Sequence, residues 1–230
     1  MISFIIPAHN EEALIGHTLA AINEATRGLR DGHEIIVVND ASTDRTGEIA
    51  GEHGARVIAV NHRQIAATRN SGARAAAGEL LFFIDADTTV TPKAVLAAVR
   101  ALHGGAIGGG TSAVRFDAGH MPAYARLLAC LLPPVLHALR LAPGCFVFCT
   151  RRGYVAAGGY NEAMHWGEEV AFANRLKCKG RFVMLRDPVI TSGRKLRSHT
   201  ALELLRVAGQ LLLRRREGLE YWYGPREAVQ

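Results

Sequence analysis

Two aspartates one residue apart, Asp85 and Asp87, follow the apolar run Leu80-Leu81-Phe82-Phe83-Ile84. In an extended chain residues i and i+2 face the same way, so both carboxylates can aim at one point. Like charges that close repel unless a cation lies between them. Hard oxygen donors select Mg2+ or Mn2+, and a site with only one or two carboxylates leaves coordination positions for phosphate oxygens and water. The pair therefore suits a metal-bridged diphosphate, with a turn that happens to carry two aspartates as the plainer alternative. Asp40 ends a second apolar run, where its carboxylate can accept an N–H from a nucleobase edge, while Ser42 and Asp44 just beyond it suit helix capping. The third cluster, Pro7-Ala8-His9-Asn10-Glu11-Glu12, is a polar turn entering a helix. Helix N-terminal amides favour a negatively charged ligand there, or two glutamates that complement the helix dipole.

The elements that must position these clusters are legible as alternating patterns. Ile2–Ile6, Glu34–Val38, Arg56–Val60 and Leu80–Ile84 are continuous apolar or β-branched runs, as expected of strands buried on both faces. Between them, Glu12–Glu24, Thr43–His53 and Ile65–Ala77 carry helical spacing or capping chemistry. A β-α-β-α-β-α-β order with right-handed crossovers gives an open, mostly parallel sheet with helices on both faces, and ligands bind beyond the carboxyl ends of its strands. All three polar clusters fall at such ends. Further along, the pattern predicts a helix over Pro92–His103, a glycine-rich break over Gly104–Gly110, and strands over Thr111–Phe116, Cys145–Thr150 and Phe182–Leu185. Helices are expected over Glu168–Lys177 and, long and amphipathic, over Thr200–Arg215. Gly108-Gly109-Gly110 precedes a strand instead of following one, unlike a dinucleotide fingerprint. With no linker and no repeat, the expectation is one domain with a C-terminal helical appendage.

At 230 residues with 49% hydrophobic and 21% charged side chains, the chain is neither disordered nor fibrous. Its formal net charge of +6 is unevenly placed: residues 1–150 carry 12 basic and 13 acidic side chains, net −1, and residues 151–230 carry 15 and 8, net +7. Cys130, Cys145, Cys149 and Cys178 form no CxxC pair and read as reduced, mostly buried small hydrophobes. Met1-Ile2-Ser3-Phe4-Ile5-Ile6-Pro7 lacks a basic n-region, so a cytoplasmic location is expected. The most apolar stretch, Leu127–Leu139, is 13 residues long and broken by Pro133-Pro134, too short to span a bilayer that needs about 20.

Taken in order, the clusters resemble family 2 glycosyltransferases of the GT-A, nucleotide-diphospho-sugar transferase fold. The resemblance rests on Ile5–Glu12, Val37–Asp44, Ala67-Thr68-Arg69-Asn70-Ser71-Gly72-Ala73, Phe83–Asp87, Gly158-Gly159-Tyr160-Asn161-Glu162 and Gly167-Glu168-Glu169, and runs from residue 1 to about 197. It implies a three-layer α/β/α sandwich, with a nucleotide-binding half over 1–103, an acceptor-binding half over 104–197 and a basic amphipathic extension over 198–230. It also implies metal-dependent, usually inverting transfer of a sugar from a UDP- or GDP-type donor, with Mn2+ or Mg2+. Carried over by position, Pro7, Ala8, His9 and Glu11 would line the nucleoside pocket and Asp40 would accept from the base. Asp85 would lie by the ribose and metal, Ala86 would line the same turn, Asp87 would be the principal metal ligand, and Arg69 would reach the nucleotide or diphosphate. His9 stands where an aromatic Tyr is common, and Asn39 replaces a common first aspartate.

Inverting transfer requires a base for the acceptor hydroxyl. The family's Glu-Asp pair is Glu168-Glu169 here, which makes Glu169 the base with an arm one methylene longer than usual. Trp166 suits stacking on a sugar ring or a core role equally. Arg194 and Lys195 are expected to stabilise the diphosphate leaving group, and His199 reads as structural more readily than as a metal or phosphate contact. Arginines 206, 214, 215 and 216 with Tyr221-Trp222-Tyr223 give the last segment a basic, aromatic-flanked pattern. That pattern suits an anionic membrane surface, packing on the domain, or a homodimer contact, and it leaves a lipid-linked acceptor open. Three other readings remain: an inactive nucleotide-binding relative with a scaffolding or regulatory role, a sugar nucleotidyltransferase, and a nucleic-acid-binding protein. The nucleotidyltransferase reading is disfavoured because Pro7–Glu12 is acidic and without glycine. Nucleic acid is disfavoured because carboxylates ring the expected crevice and would repel a polyanion.

Overall fold

The computed structural model describes residues 1–111, 113–116, 134, 142–164 and 167–193. The strands are β1 (Ile2–Ala8), β2 (His33–Asp40), β3 (Arg56–Val60), β4 (Leu80–Ile84), β5 (Thr88–Thr89), β6 (Gly108–Thr111), β7 (Val114–Phe116), β8 (Phe146–Thr150), β9 (Phe182–Leu185) and β10 (Val189–Thr191). The helices are α1 (Ile15–Thr26), α2 (Thr46–Glu52), α3 (Ile65–Ala75), α4 (Pro92–His103), α5 (Arg151–Ala157) and α6 (Glu168–Lys177).

A seven-stranded sheet runs in the order β3-β2-β1-β4-β8-β6-β9. β1 to β4 are mutually parallel where they pair, β8 is antiparallel to both its neighbours, and β6 and β9 are parallel. Alternate residues of each strand serve opposite faces. Phe4 and Ile6 of β1, Val37 of β2 and Phe82 and Ile84 of β4 pack with α1, α2 and α4. Their neighbours Ile5, Val38, Leu81 and Phe83 pack with α3, α5 and α6. The result is an α/β/α sandwich with a largely parallel sheet. A smaller sheet, β5-β10-β7, adds a flap beyond β4.

Several boundaries move from their sequence expectation. α1 begins at Ile15, not Glu12, and α2 at Thr46, not Thr43, because the preceding residues bond to each other across the two loops. The break expected over Gly104–Gly110 and the strand over Thr111–Phe116 are both corrected: Gly108–Thr111 is a strand of the main sheet and Val114–Phe116 belongs to the small one. Glycine is required in β6 because a Cβ on Gly109 would lie closer than 3.0 Å to the Val183 carbonyl and the Phe148 ring. Cys145 and Cys149 are buried and free as expected, whereas Cys178 is exposed. The stretch Leu127–Leu139, apart from Pro134, and the helix expected over Thr200–Arg215 lie outside the described residues, and no described helix is long and apolar enough to cross a membrane.

α3 lies flat on the sheet at Gly72, where an added Cβ would meet the Cγ2 methyls of buried Ile5 and Val38 inside 3.0 Å. Both neighbours are β-branched and stiff, so the clash moves backbone. Gly72→Ala is expected to cost about 1–3 kcal/mol of stability, read as a lowered urea midpoint. An unchanged midpoint would show that the helix rides freely on the sheet.

Candidate active site

The carboxyl ends of β1, β2 and β4 open into a cleft lined by Pro7, Ala8, His9, Glu11, Asp40, Ile65, Thr68, Asp85, Ala86 and Asp87. Eight of these are residues singled out from the sequence. Ile65 and Thr68 were not assigned; both lie in the first turn of α3, and Thr68 falls within the Ala67–Ala73 motif.

The loop after β1 and the loop after β2 are stitched together. Asn10 donates its N–H to Ser42 Oγ at 3.0 Å and accepts Thr43 N–H at 2.8 Å. Glu12 N–H donates to Asp44 Oδ2, and Arg45 N–H donates back to Glu12 Oε2, both at 3.1 Å. Asn10 at φ 50° and Ala41 at φ 52° make the turns that permit this. Ser42 therefore clasps the neighbouring loop, and Asp44 does so while also accepting Thr46 N–H at 3.0 Å. His9 is pinned by an Nδ1 contact of 2.6 Å with the Asp40 carbonyl. A carbonyl only accepts, so Nδ1 carries a proton.

Asp40 is 1% exposed and holds the β3–α3 connection. Its Oδ1 accepts N–H groups of His62 and Arg63 at 2.7 and 2.9 Å, and Oδ2 accepts Gln64 N–H at 3.3 Å and Thr68 Oγ1–H at 2.8 Å. An ionised carboxylate has about four acceptor sites, so Asp40 orders this loop in addition to walling the cleft.

Asp85 and Asp87 do not lie on an extended segment. Thr88 N–H bonds back to Asp85 O at 3.0 Å, closing a turn, and Thr18 Oγ1 donates to Ala86 O at 2.8 Å, tying that turn to α1. The expectation of an extended i, i+2 pair is corrected on this point, although both carboxylates still reach the cleft. Asp87 Oδ1 accepts from Thr191 Oγ1 at 3.3 Å, and its carbonyl accepts Ser192 N–H at 3.2 Å.

Behind the turn lies Arg69, 1% exposed. It donates through Nη2 to Asp85 Oδ1 at 2.8 Å and through Nη1 to Glu168 Oε1 at 2.7 Å. Burial opposes its charge, and Asp85 with the other acidic neighbours outweighs that and raises its pKa. Arg69 is thus a buried bridge and lines none of the cleft. Glu168, 0% exposed, is consumed by that bridge, and α6 begins beside it with Gly167 at φ 70°. Glu169 follows. Burial, reinforced by the charge of Glu168 and only partly offset by Arg69, pushes its carboxyl up to about 8. Its side chain lies against Gly144, where a Cβ would meet Glu169 Cγ. The glycine is what gives the longer arm room. Arg69 Nε, Tyr160 Oη, Glu168 Oε2 and Glu169 Oε2 are buried without a hydrogen-bond partner among the described residues.

A divalent cation fits the donor set. Asp85 and Asp87 supply only oxygen, and the one buried guanidinium among the described residues, Arg69, stands against the carboxylates of Asp85, Asp87 and Glu168. No group of three or more His, Cys, Asp or Glu suited to a metal occurs among the described residues, so any ion there depends on further oxygens from a ligand or water.

The role of α3 has no local signature in the sequence. Asn70 Nδ2 donates to Tyr160 O and Glu162 Oε1, and its Oδ1 accepts from Tyr154 Oη and Tyr160 N–H, all within 2.9 Å. That saturated amide ties the Gly158–Glu162 motif to α3. Trp166, Arg194, Lys195, Arg197 and His199 lie outside the described residues.

The family model described as "Glycosyl transferase family 2" matches residues 3–141. Among curated proteins, undecaprenyl-phosphate 4-deoxy-4-formamido-L-arabinose transferase of Pseudomonas aeruginosa (strain LESB58) is 30% identical over 166 residues, 68% of this chain and 49% of that protein. Matches to other curated relatives span only about a quarter of their length. Glucosyl-3-phosphoglycerate synthase from Mycobacterium tuberculosis, solved with Mn2+, UDP and glucosyl-3-phosphoglycerate, superimposes with a TM-score of 0.63 at 25% identity, covering 93% of this chain and 79% of that one. The mannosyltransferase PcManGT from Pyrobaculum calidifontis, solved with GDP-Man and Mn2+, shares the fold with a TM-score of 0.64 at 17% identity, over 96% of this chain and 66% of that one.

Proposed function

The chain belongs to glycosyl transferase family 2, and on that premise we propose that it transfers a sugar from a nucleoside-diphosphate sugar to an acceptor hydroxyl with inversion. The observation that carries this reading is the single cleft in which the β1 turn, Asp40 and the Asp85–Asp87 turn meet at the carboxyl ends of adjacent parallel strands.

In this reading residues 1–103 form the donor side and 104–197 the acceptor side. Pro7, Ala8, His9 and Glu11 hold the nucleoside, with the His9 ring oriented by the Asp40 carbonyl. Asp40 meets the base N–H by sharing the lone pair now given to Gln64 N–H, the longest of its four bonds at 3.3 Å. Asp85 and Asp87 would hold Mn2+ or Mg2+, which when bound offsets the charge of the departing diphosphate. Glu169 takes the acceptor proton as the acceptor oxygen attacks the anomeric carbon opposite the leaving nucleoside diphosphate. Arg69 and Glu168 position that base and the metal-side carboxylate. Arg194 and Lys195 are assigned to the leaving group. A cytoplasmic protein touching the membrane surface through its basic C-terminal segment, with a lipid-linked acceptor that carries the attacking hydroxyl, accords with the lipid phosphate in one relative's name.

A thermal-shift series tests the donor reading. UDP or GDP at about 100 times Kd adds about 2.7 kcal/mol, which is about 5–10 °C for a chain of this size. The shift should need Mn2+ or Mg2+. No shift with either nucleotide counts against the reading, and the same shift in EDTA counts against the role of Asp85 and Asp87.

A further inference from the structure

Gln64 caps α3 and bonds in three directions. Its main-chain N–H donates to Asp40 Oδ2, and its side-chain Oε1 accepts Ala67 N–H at 2.6 Å. Its Nε2 donates to the carbonyls of Glu162 and Met164, each at 2.9 Å and respectively 98 and 100 residues further along the chain. The residues on either side of these bonds belong to different tasks. Ile65 and Thr68, in the turn that Gln64 caps, line the cleft, and Thr68 Oγ1 reaches both Asp40 Oδ2 and the Gln64 carbonyl, the latter at 3.0 Å. Glu162 and Met164 belong to the segment that leads into Gly167 and the Glu168-Glu169 pair. An amide that donates to two carbonyls while its oxygen caps a helix has little freedom to turn, so it transmits the position of the turn to the segment.

We propose that Gln64 is a positioning residue through which a nucleotide in the cleft orders the 160–164 segment ahead of Glu168 and Glu169, so that the donor prepares the acceptor side. The inference rests on the donor reading above. A nucleotide base lying against Ile65, Thr68 and Asp40 fixes the first turn of α3. The fixed turn holds the Gln64 amide, and the amide holds the two carbonyls. Coupling of this kind is reciprocal: whatever orders the segment also favours the nucleotide.

The test is amide hydrogen exchange over residues 160–164 in the full chain, with and without saturating UDP or GDP plus Mn2+. In the wild type the nucleotide is expected to slow exchange about fivefold or more. Gln64→Glu keeps an oxygen for Ala67 N–H but has no N–H for the two carbonyls. It should bind nucleotide within about threefold of the wild type and lose the slowing. Gln64→Met should lose the slowing as well, which separates the missing donor from the added charge. A merely structural role would alter exchange without nucleotide and leave the nucleotide-dependent increment intact. Slowing that persists in both variants overturns the proposal, as does a wild type that binds nucleotide without slowing. A wild type that binds neither nucleotide overturns the donor reading and this inference together.

Discussion

Asp87→Ala is expected to lower metal-dependent consumption of the donor sugar by about three orders of magnitude, the size of effect that several kcal/mol of leaving-group stabilisation implies. Asp87 is the better probe of the pair for a structural reason. Asp85 is bonded to the buried guanidinium of Arg69 at 2.8 Å, and removing one partner of a buried pair destabilises by about 3–5 kcal/mol. An Asp85 variant would thus confuse misfolding with lost chemistry. Asp87 is half-buried and accepts a 3.3 Å bond from Thr191, and the melting temperature of the variant, measured alongside, separates lost chemistry from lost folding. The accompanying measurement is nucleotide binding with and without Mn2+: the variant should bind UDP or GDP equally in both conditions. Full turnover, or a metal-dependent increment as large as that of the wild type, removes Asp87 from the metal site.

The cleft was legible because each of the clusters that line it follows an unmistakable apolar run, and strand ends are where such folds bind ligands. The geometry within the clusters was not. Asp85 and Asp87 sit on a turn closed by Thr88 and braced by Thr18, residues whose hydrogen bonds no local pattern announces. Ser42 and Asp44 read locally as helix caps, and they clasp a loop 32 residues away. The same limit hid the role of α3. Arg69 and Asn70 are recognisable as part of a motif, yet their partners Glu168 and Tyr160 lie 99 and 90 residues away. Gly108–Thr111 reads as a break because glycine is a poor strand former. It is a strand because two neighbouring strands and the Phe148 ring leave no room for a side chain.

Glu169→Gln is expected to reduce kcat by about 10²–10⁴-fold, the range that a positioned general base contributes, with the donor dissociation constant within about threefold of the wild type. The substitution keeps the length of the arm lying on Gly144 and removes the capacity to take a proton. The pH dependence gives an independent check, and its sign follows from the raised pKa. A carboxyl pushed up to about 8 is largely protonated at neutral pH, and a protonated carboxyl cannot accept the acceptor's proton. The profile of kcat/KM, which reports the free enzyme, should therefore climb as pH rises through about 8, and the climb should vanish in Glu169→Gln. The same proton bears on stability with the opposite trend. The folded chain retains a proton that the unfolded chain releases near 4.5, the ordinary value for a glutamate, so this group's contribution to stability is fully present below that pH and is lost as pH approaches 8. Stability falls where activity rises, which is how an active-site group is distinguished from one that merely supports the fold. A flat kcat/KM profile between pH 6 and 9, or a loss of donor binding in Glu169→Gln comparable to the loss of turnover, would assign the proton transfer to another residue and leave Glu169 as packing against Gly144.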